Sequence, residues 1–214
     1  TEKSLETQRS VVIEEFKQRY LNQPYGDVWL ELRPLAYKKH PYKWATIGKE
    51  ISHIENATME DVRAFFKKYY CPSNAILCIA GNFELDFIKE RVNYWFSDIA
   101  SGKKPARIIA SEPKQIEFRE LELERNVPAS AFYYAFKMAE RKHPDYYIAD
   151  ILSDSLSREK SSLLYLKLKK EKPFVSEILA YITGSIDEGL FIISGKLNDG
   201  ISFEDFDIAL WEVL

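Results

Sequence analysis

Residues 189–197 read Gly-Leu-Phe-Ile-Ile-Ser-Gly-Lys-Leu, and residues 75–83 read Ala-Ile-Leu-Cys-Ile-Ala-Gly-Asn-Phe. Each is a short apolar run that meets a glycine near its end and gives way to an amphipathic stretch, the pattern of a buried strand followed by a helix. Leu85, Ile88, Val92 and Trp95 mark the helix after the first run, and a helix from about Phe203 follows the second. A duplicated unit or a coincidence of two strand-glycine-helix units would both give this faint repeat, whose period far exceeds that of a solenoid.

Working outward, the apolar residues Leu5, Val12, Phe16 and Tyr20 recur at helical spacing, and Pro24 with Gly26 supplies the stop. Pro34 and Pro41 divide the next stretch into short helical turns. Thr58 and Asp61 form a capping box for a helix that runs to Pro72. Residues 101–115 hold Gly102, Pro105, Pro113 and several lysines and lose all periodicity, as a linker does. Beyond them, Ile116–Glu124 alternates as a strand would, Ala131–Met138 is a further strand, two helices carry Ile148 to Leu156 and Leu163 to Leu168, and strands fall near Val175–Tyr181 and Leu190–Ser194. Runs of strands and paired helices without regular alternation indicate an α+β class with largely antiparallel sheets covered by helices. The expected division is 1–100, a linker at 101–115, and 116–214.

Composition narrows the function. With 46% hydrophobic residues, disorder is excluded. The 30 basic and 33 acidic residues are interspersed, which leaves little for the counterion release that drives nucleic-acid binding. The lysines at 167, 169, 170 and 172 fall at a helix end before Pro173, where cations complement the macrodipole. No apolar stretch is long enough to span a membrane and no signal peptide is visible, so neither nucleic acid nor membrane is an expected partner, and a cytoplasmic or periplasmic location fits. Cys71 and Cys78 are too few for a zinc quartet and read as structural, Cys78 as a buried thiol within a strand. A start at Thr1 and a stop at Leu214 inside an amphipathic pattern are what an excerpt of a longer polypeptide gives.

One segment could carry chemistry: Gln8-Arg-Ser-Val-Val-Ile-Glu14-Glu15-Phe16. At about 100° per residue from Val12, Leu5 and Phe16 lie within about 40°, Gln8 at about −40° and Glu15 at about −60°. Both polar groups are therefore expected on or beside the buried face, while Glu14 points to solvent. A carboxylate on an apolar face must be paired, hydrogen-bonded or metal-bound. A salt bridge to a nearby lysine or arginine is the commoner solution, and finding one would count against a metal role.

Several segments, in order, resemble the pitrilysin/insulinase-type zinc peptidases, of which mitochondrial processing peptidase-like proteins are members. They are Val11-Val-Ile-Glu-Glu15, Asn22-Gln-Pro-Tyr-Gly26, His40-Pro-Tyr42, Thr46-Ile-Gly48, Ala57-Thr-Met-Glu-Asp-Val62 and Asn74-Ala-Ile-Leu-Cys-Ile-Ala-Gly81. Asp145-Tyr-Tyr147, Ser161-Ser-Leu-Leu-Tyr165 and Gly184-Ser185 through Gly189-Leu-Phe191 extend the resemblance into the second half.

The resemblance implies two α/β roll subdomains: the C-terminal part of a zinc-site subdomain over 1–100 and a second subdomain, incomplete at its C-terminus, over 116–214. It also implies a His-x-x-Glu-His motif that supplies two zinc ligands and a general base, with Glu15 matching the family's third ligand. The metal would then polarise a peptide carbonyl and lower the pKa of its water. That motif is missing here, since His40, His53 and His143 are the only histidines and none is spaced as a ligand pair. Read this way, the parent is a zinc metalloendopeptidase with a peptide substrate and a second homologous half or subunit, and this chain is inactive alone. A catalytically inactive homologue acting as scaffold or partner subunit is the alternative.

Two departures stand out. Gln8 occupies the position, seven before the ligand, where the family commonly has glutamate, and it is a possible supporting group for Glu15. The family's substrate-holding arginine and tyrosine are absent from Lys170 to Glu177.

Overall fold

The structure is a computed structural model and describes all residues 1–214. The chain divides into two compact units, Thr1–Phe118 and Arg119–Leu214.

The first unit is helical. Helix α1 (Glu2–Phe16) is capped by the Thr1 hydroxyl, which accepts from Ser4 N, and continues into a π-helical turn at Lys17–Leu21. Helix α2 (Val28–Ala36) carries Pro34 inside its last turn, so this proline lies within the helix rather than at its boundary; Pro41 opens a 3₁₀ turn at Pro41–Lys43. Short α3 (Ile51–Glu55) packs on α1, and the Arg9 guanidinium donates to Ala57 O at 2.6 Å. Helix α4 (Met59–Tyr69) begins with the expected capping box, the Thr58 hydroxyl accepting from Asp61 N while the Asp61 carboxylate accepts from Thr58 N. Those bonds hold the Asp61 carboxyl below its ordinary value, the side-chain bond from Thr58 contributing most.

A 3₁₀ turn at Pro72–Asn74 and helix α5 (Leu85–Phe96) complete the regular structure of this unit. Its core is small, centred on Phe16, Leu32, Ala36, Tyr37, Ala45 and Cys71. Gly102 is obligatory beside Cys71: its φ is +68°, and a β-carbon there would stand 2.7 Å from the Cys71 sulfur.

Two expected strands do not form ladders. Residues 75–80 and 116–124 carry no strand pairing, and Ile76 is 97% exposed. A ladder needs a neighbouring strand to take up the backbone groups, and neither run pairs with one. The thiol of Cys78 is accordingly exposed rather than buried. Helices α4 and α5 likewise bury no residue, leaving Phe65, Phe66, Phe87 and Trp95 open on their apolar faces.

The second unit contains the sheet. Strands β1 (Ala131–Met138), β2 (Val175–Ile182) and β3 (Gly189–Leu197) form a three-stranded antiparallel sheet in the order β1-β3-β2. Helix α6 (Pro144–Ser157) starts at Pro144, a favoured first helical position, and is capped by His143. A π-helical turn at Tyr165–Glu171 and helix α7 (Phe203–Val213), capped by Ser202, follow in the chain.

Phe191, Ile193 and Leu197 of β3 join Phe132, Leu164 and Phe206 in one core. Leu190 and Ile192, on the opposite face of β3, are buried as well. Gly195 sits opposite Phe132 and Ile178, and a β-carbon there would stand 2.6 Å from the Phe132 ring and 2.2 Å from Glu177 O. Helix α6 is tied to β2 by Ser157, whose hydroxyl donates to Ala180 O at 3.1 Å.

Helix α7 is tied to β1 in two ways. Phe206 stacks obliquely on Phe132 with ring centroids 4.1 Å apart, and the Tyr134 hydroxyl donates to Asp207 Oδ1 at 2.8 Å. Burial, then the bond to Asp207 and the charges of Asp207 and Glu120, hold the Tyr134 phenol above its ordinary value; burial raises Tyr181 too. A raised phenol favours the neutral form in the fold. Its stabilisation is therefore complete below the unfolded value of about 10 and is lost as pH rises toward the folded one. Urea midpoints of the second unit should hold up to about pH 10 and fall above it, and Tyr134→Phe should flatten that fall while costing about 1 kcal/mol at neutral pH.

Candidate metal centre

Helix α1 carries both candidate residues. Its packed side is defined by Leu5, Arg9, Val12, Ile13 and fully enclosed Phe16, which places the centre of that face about 45° beyond Val12. Gln8 and Glu15 then lie about 85° and 105° from the centre, on the flank rather than the buried face. Gln8 is in fact exposed and Glu15 only half-buried. Arg9 and Ile13 share the packed face and shift its centre by about 45°, so exposed Gln8 departs from the expected place on or beside that face, while half-buried Glu15 keeps to its edge.

The Glu15 carboxylate has a partner. Arg19 Nη2 stands 2.9 Å from Glu15 Oε1, one helical turn on, with the two side chains 66% and 44% exposed respectively. This is the ion pair weighed above as the commoner solution. Exposed pairs four apart contribute only about 0.3–0.5 kcal/mol, so Arg19 does not lock Glu15 in place. Arg19 was legible in the sequence as the fourth residue after Glu15. Gln8 does not join the pair: seven residues rise about 10 Å along a helix, and Glu15 turns to Arg19 instead. Neighbouring Glu14 pairs with Lys17 at 2.8 Å, as a solvent-facing residue can.

No group of three histidine, cysteine, aspartate or glutamate residues is positioned to hold a metal ion. His53 is exposed in α3. His143 caps α6, its ring accepting from Asp145 N at 3.2 Å. His40 is a turn residue, as expected, but a buried one: its Nδ1 accepts from Tyr42 N at 3.1 Å, and its ring clusters with those of Tyr37 and Tyr42. The residues of this chain therefore do not by themselves fit a resident zinc; Glu15 is a single donor where a catalytic site needs three.

One cleft of about 480 Å³ opens in the same unit, lined by Arg33, Tyr42, Trp44, Lys49 and His53 among others. It is cationic and aromatic, and no acidic residue lines it.

Comparison with known proteins places these features. The family model described as the Peptidase M16 inactive domain matches residues 56–212. The chain belongs to this family. Glu15 lies outside the matched M16 span. The zinc protease PqqE of Helicobacter pylori is 29% identical over 213 residues, covering 97% of this chain and 48% of that protein. A Bacillus subtilis protein described as an uncharacterized zinc protease, YmxG, is 24% identical over 194 residues, covering 91% of this chain and 46% of its own. The crystal structure of a protease from H. pylori superposes with a TM-score of 0.82 at 29% identity, covering 99% of this chain and 52% of that one. The chain thus spans about half the length of these M16 relatives, and its helix-plus-antiparallel-sheet fold is theirs. No helix is long and apolar enough to cross a membrane.

Arg19→Ala should change the unfolding free energy by less than about 0.5 kcal/mol, as urea titration would measure. A loss of several kcal/mol would mean that the Glu15–Arg19 pair is structural after all.

Proposed function

We propose that the full-length polypeptide carrying this chain is a zinc-dependent endopeptidase, and that Glu15 completes its metal site from α1. The two histidines and the general base of a His-x-x-Glu-His motif come, in this reading, from sequence outside residues 1–214. The observation that carries it is the state of Glu15's surroundings: a half-exposed carboxylate on a helix flank beside exposed Val11, in a unit whose α4 and α5 faces and 75–80 run are also uncovered. Apolar surface on this scale is unusual on a finished domain and calls for more polypeptide to cover it. Membership of the M16 family and the zinc protease descriptions of PqqE and YmxG support the metal. Coverage of about half of each relative supports a second, homologous half, and a peptide is the substrate.

A second reading has its own support. The matched model is that of an inactive domain, and the Glu15–Arg19 pair is the arrangement that a non-metal role would leave behind. In that reading the protein is a catalytically silent M16 homologue that serves as a scaffold or partner subunit. Gln8 could assist Glu15 only through intervening groups, which makes it a supporting residue at most.

Zinc content after dialysis against a mild chelator separates the two readings. The full-length protein should retain stoichiometric zinc and lose most of it as Glu15→Gln, together with peptide hydrolysis. Residues 1–214 alone should retain none and cleave nothing. Zinc that is indifferent to Glu15→Gln, or absent from the full-length protein, would establish the silent homologue.

A further inference from the structure

Residues 97–130 contain neither helix nor strand, yet one side chain within them is held by three bonds. Lys38 N donates to Glu112 Oε1 at 2.7 Å, and Lys39 N and His40 N each donate to Glu112 Oε2 at 2.8 Å. The three successive amides lie between Ala36, which ends α2, and Pro41, which opens the next turn. Released from helical bonding and aimed the same way, consecutive amides form a concave anion-binding nest. Bonds from amides to a carboxylate are charge-assisted and about twice as strong as neutral ones.

The nest is itself braced. The Lys38 ammonium donates back to Pro34 O at 3.0 Å, and the His40 ring closes the turn by accepting from Tyr42 N. A second attachment lies upstream in the same segment, where Ser73 N donates to Ser101 O at 2.9 Å and Gly102 lies against the Cys71 side chain.

We propose that the amides of residues 38–40 form a carboxylate-binding site that Glu112 occupies in cis, and that this clasp fastens residues 101–112 to the first unit as a strap. Ser101–Gly102 pins one end and Glu112 the other. Pro113, directly after the clasp, has no amide hydrogen and restricts the backbone of Glu112, which favours an extended exit from the nest.

Hydrogen exchange and limited trypsin digestion of the full-length protein test this. In Glu112→Ala, the amides of Lys38, Lys39 and His40 should exchange about tenfold faster or more. Cleavage at Arg107, inside the strap, should accelerate, while cleavage at Lys114, beyond the clasp, should not. Glu112→Gln, which keeps one carbonyl acceptor and loses the charge, should fall between, and Glu117→Ala in the same segment should match the wild type. Amides of Ile192 and Ile193 in β3 report global unfolding: if these also speed up in Glu112→Ala, the same criteria are applied to Glu112→Gln. Unchanged exchange at 38–40, or faster exchange without faster cleavage at Arg107, would overturn the proposal.

Discussion

The backbone hydrogen bonds along both edges of β3 are what the second unit depends on. β3 is buried on both faces, so every amide and carbonyl it carries needs a partner within the protein, and β1 and β2 provide them over almost its whole length. The side-chain arrangement follows from that register. Gly195 must be glycine because Phe132 and Glu177 converge on it, and the Phe132 ring set there becomes the surface on which Phe206 seats α7. Tyr134, two residues along β1, then reaches Asp207, the residue after Phe206 on the same helix, so sheet pairing fixes helix placement.

The same constraint explains the first unit by its violation. Residues 75–80 have the composition of β3 and precede a helix in the same way, but neither of their edges is paired. Without a sheet beneath them, α4 and α5 have nothing on which to set their apolar faces. The helices form nonetheless, since capping and local propensity suffice: the Thr58–Asp61 box is complete, and Glu60 and Asp61 complement the dipole of α4. Local structure here is satisfied while tertiary structure is not.

This division also sets what could be read from sequence. Helix starts with a local mechanism, such as Thr58, came out as expected, as did Ala131–Met138 and the strands around residues 175–181 and 190–194, whose partners are all present. Periodicity reports that Ala75–Ala80 wants burial but not whether a neighbour exists, and so Cys78 was expected inside and lies outside. On α1, the apolar positions located the packed face to within about 45°. What they could not show was that Arg9 would lie along that face with its guanidinium on Ala57 O, which moves the centre of the face away from Gln8. The Glu112 nest had no sequence signal at all, because its donors are backbone amides more than seventy residues away.

The ion pair of Glu15 and the metal role proposed for it are alternative uses of one carboxylate, and magnitudes decide how they compete. An exposed pair four residues apart is worth about 0.3–0.5 kcal/mol because water screens both charges and the arginine loses rotamer freedom on pairing. Folding energies from protein-zinc coordination run to about 10–16 kcal/mol for a full structural ligand set, so even a modest share per ligand exceeds the pair. Arg19 would therefore yield Glu15 to a metal already held by two other donors, at almost no cost to α1. With those donors absent, a lone carboxylate has no metal to gain and takes the nearest cation. The pair counts against a metal role for Glu15, as the commoner solution does, but only by the few tenths of a kcal/mol that an exposed pair is worth.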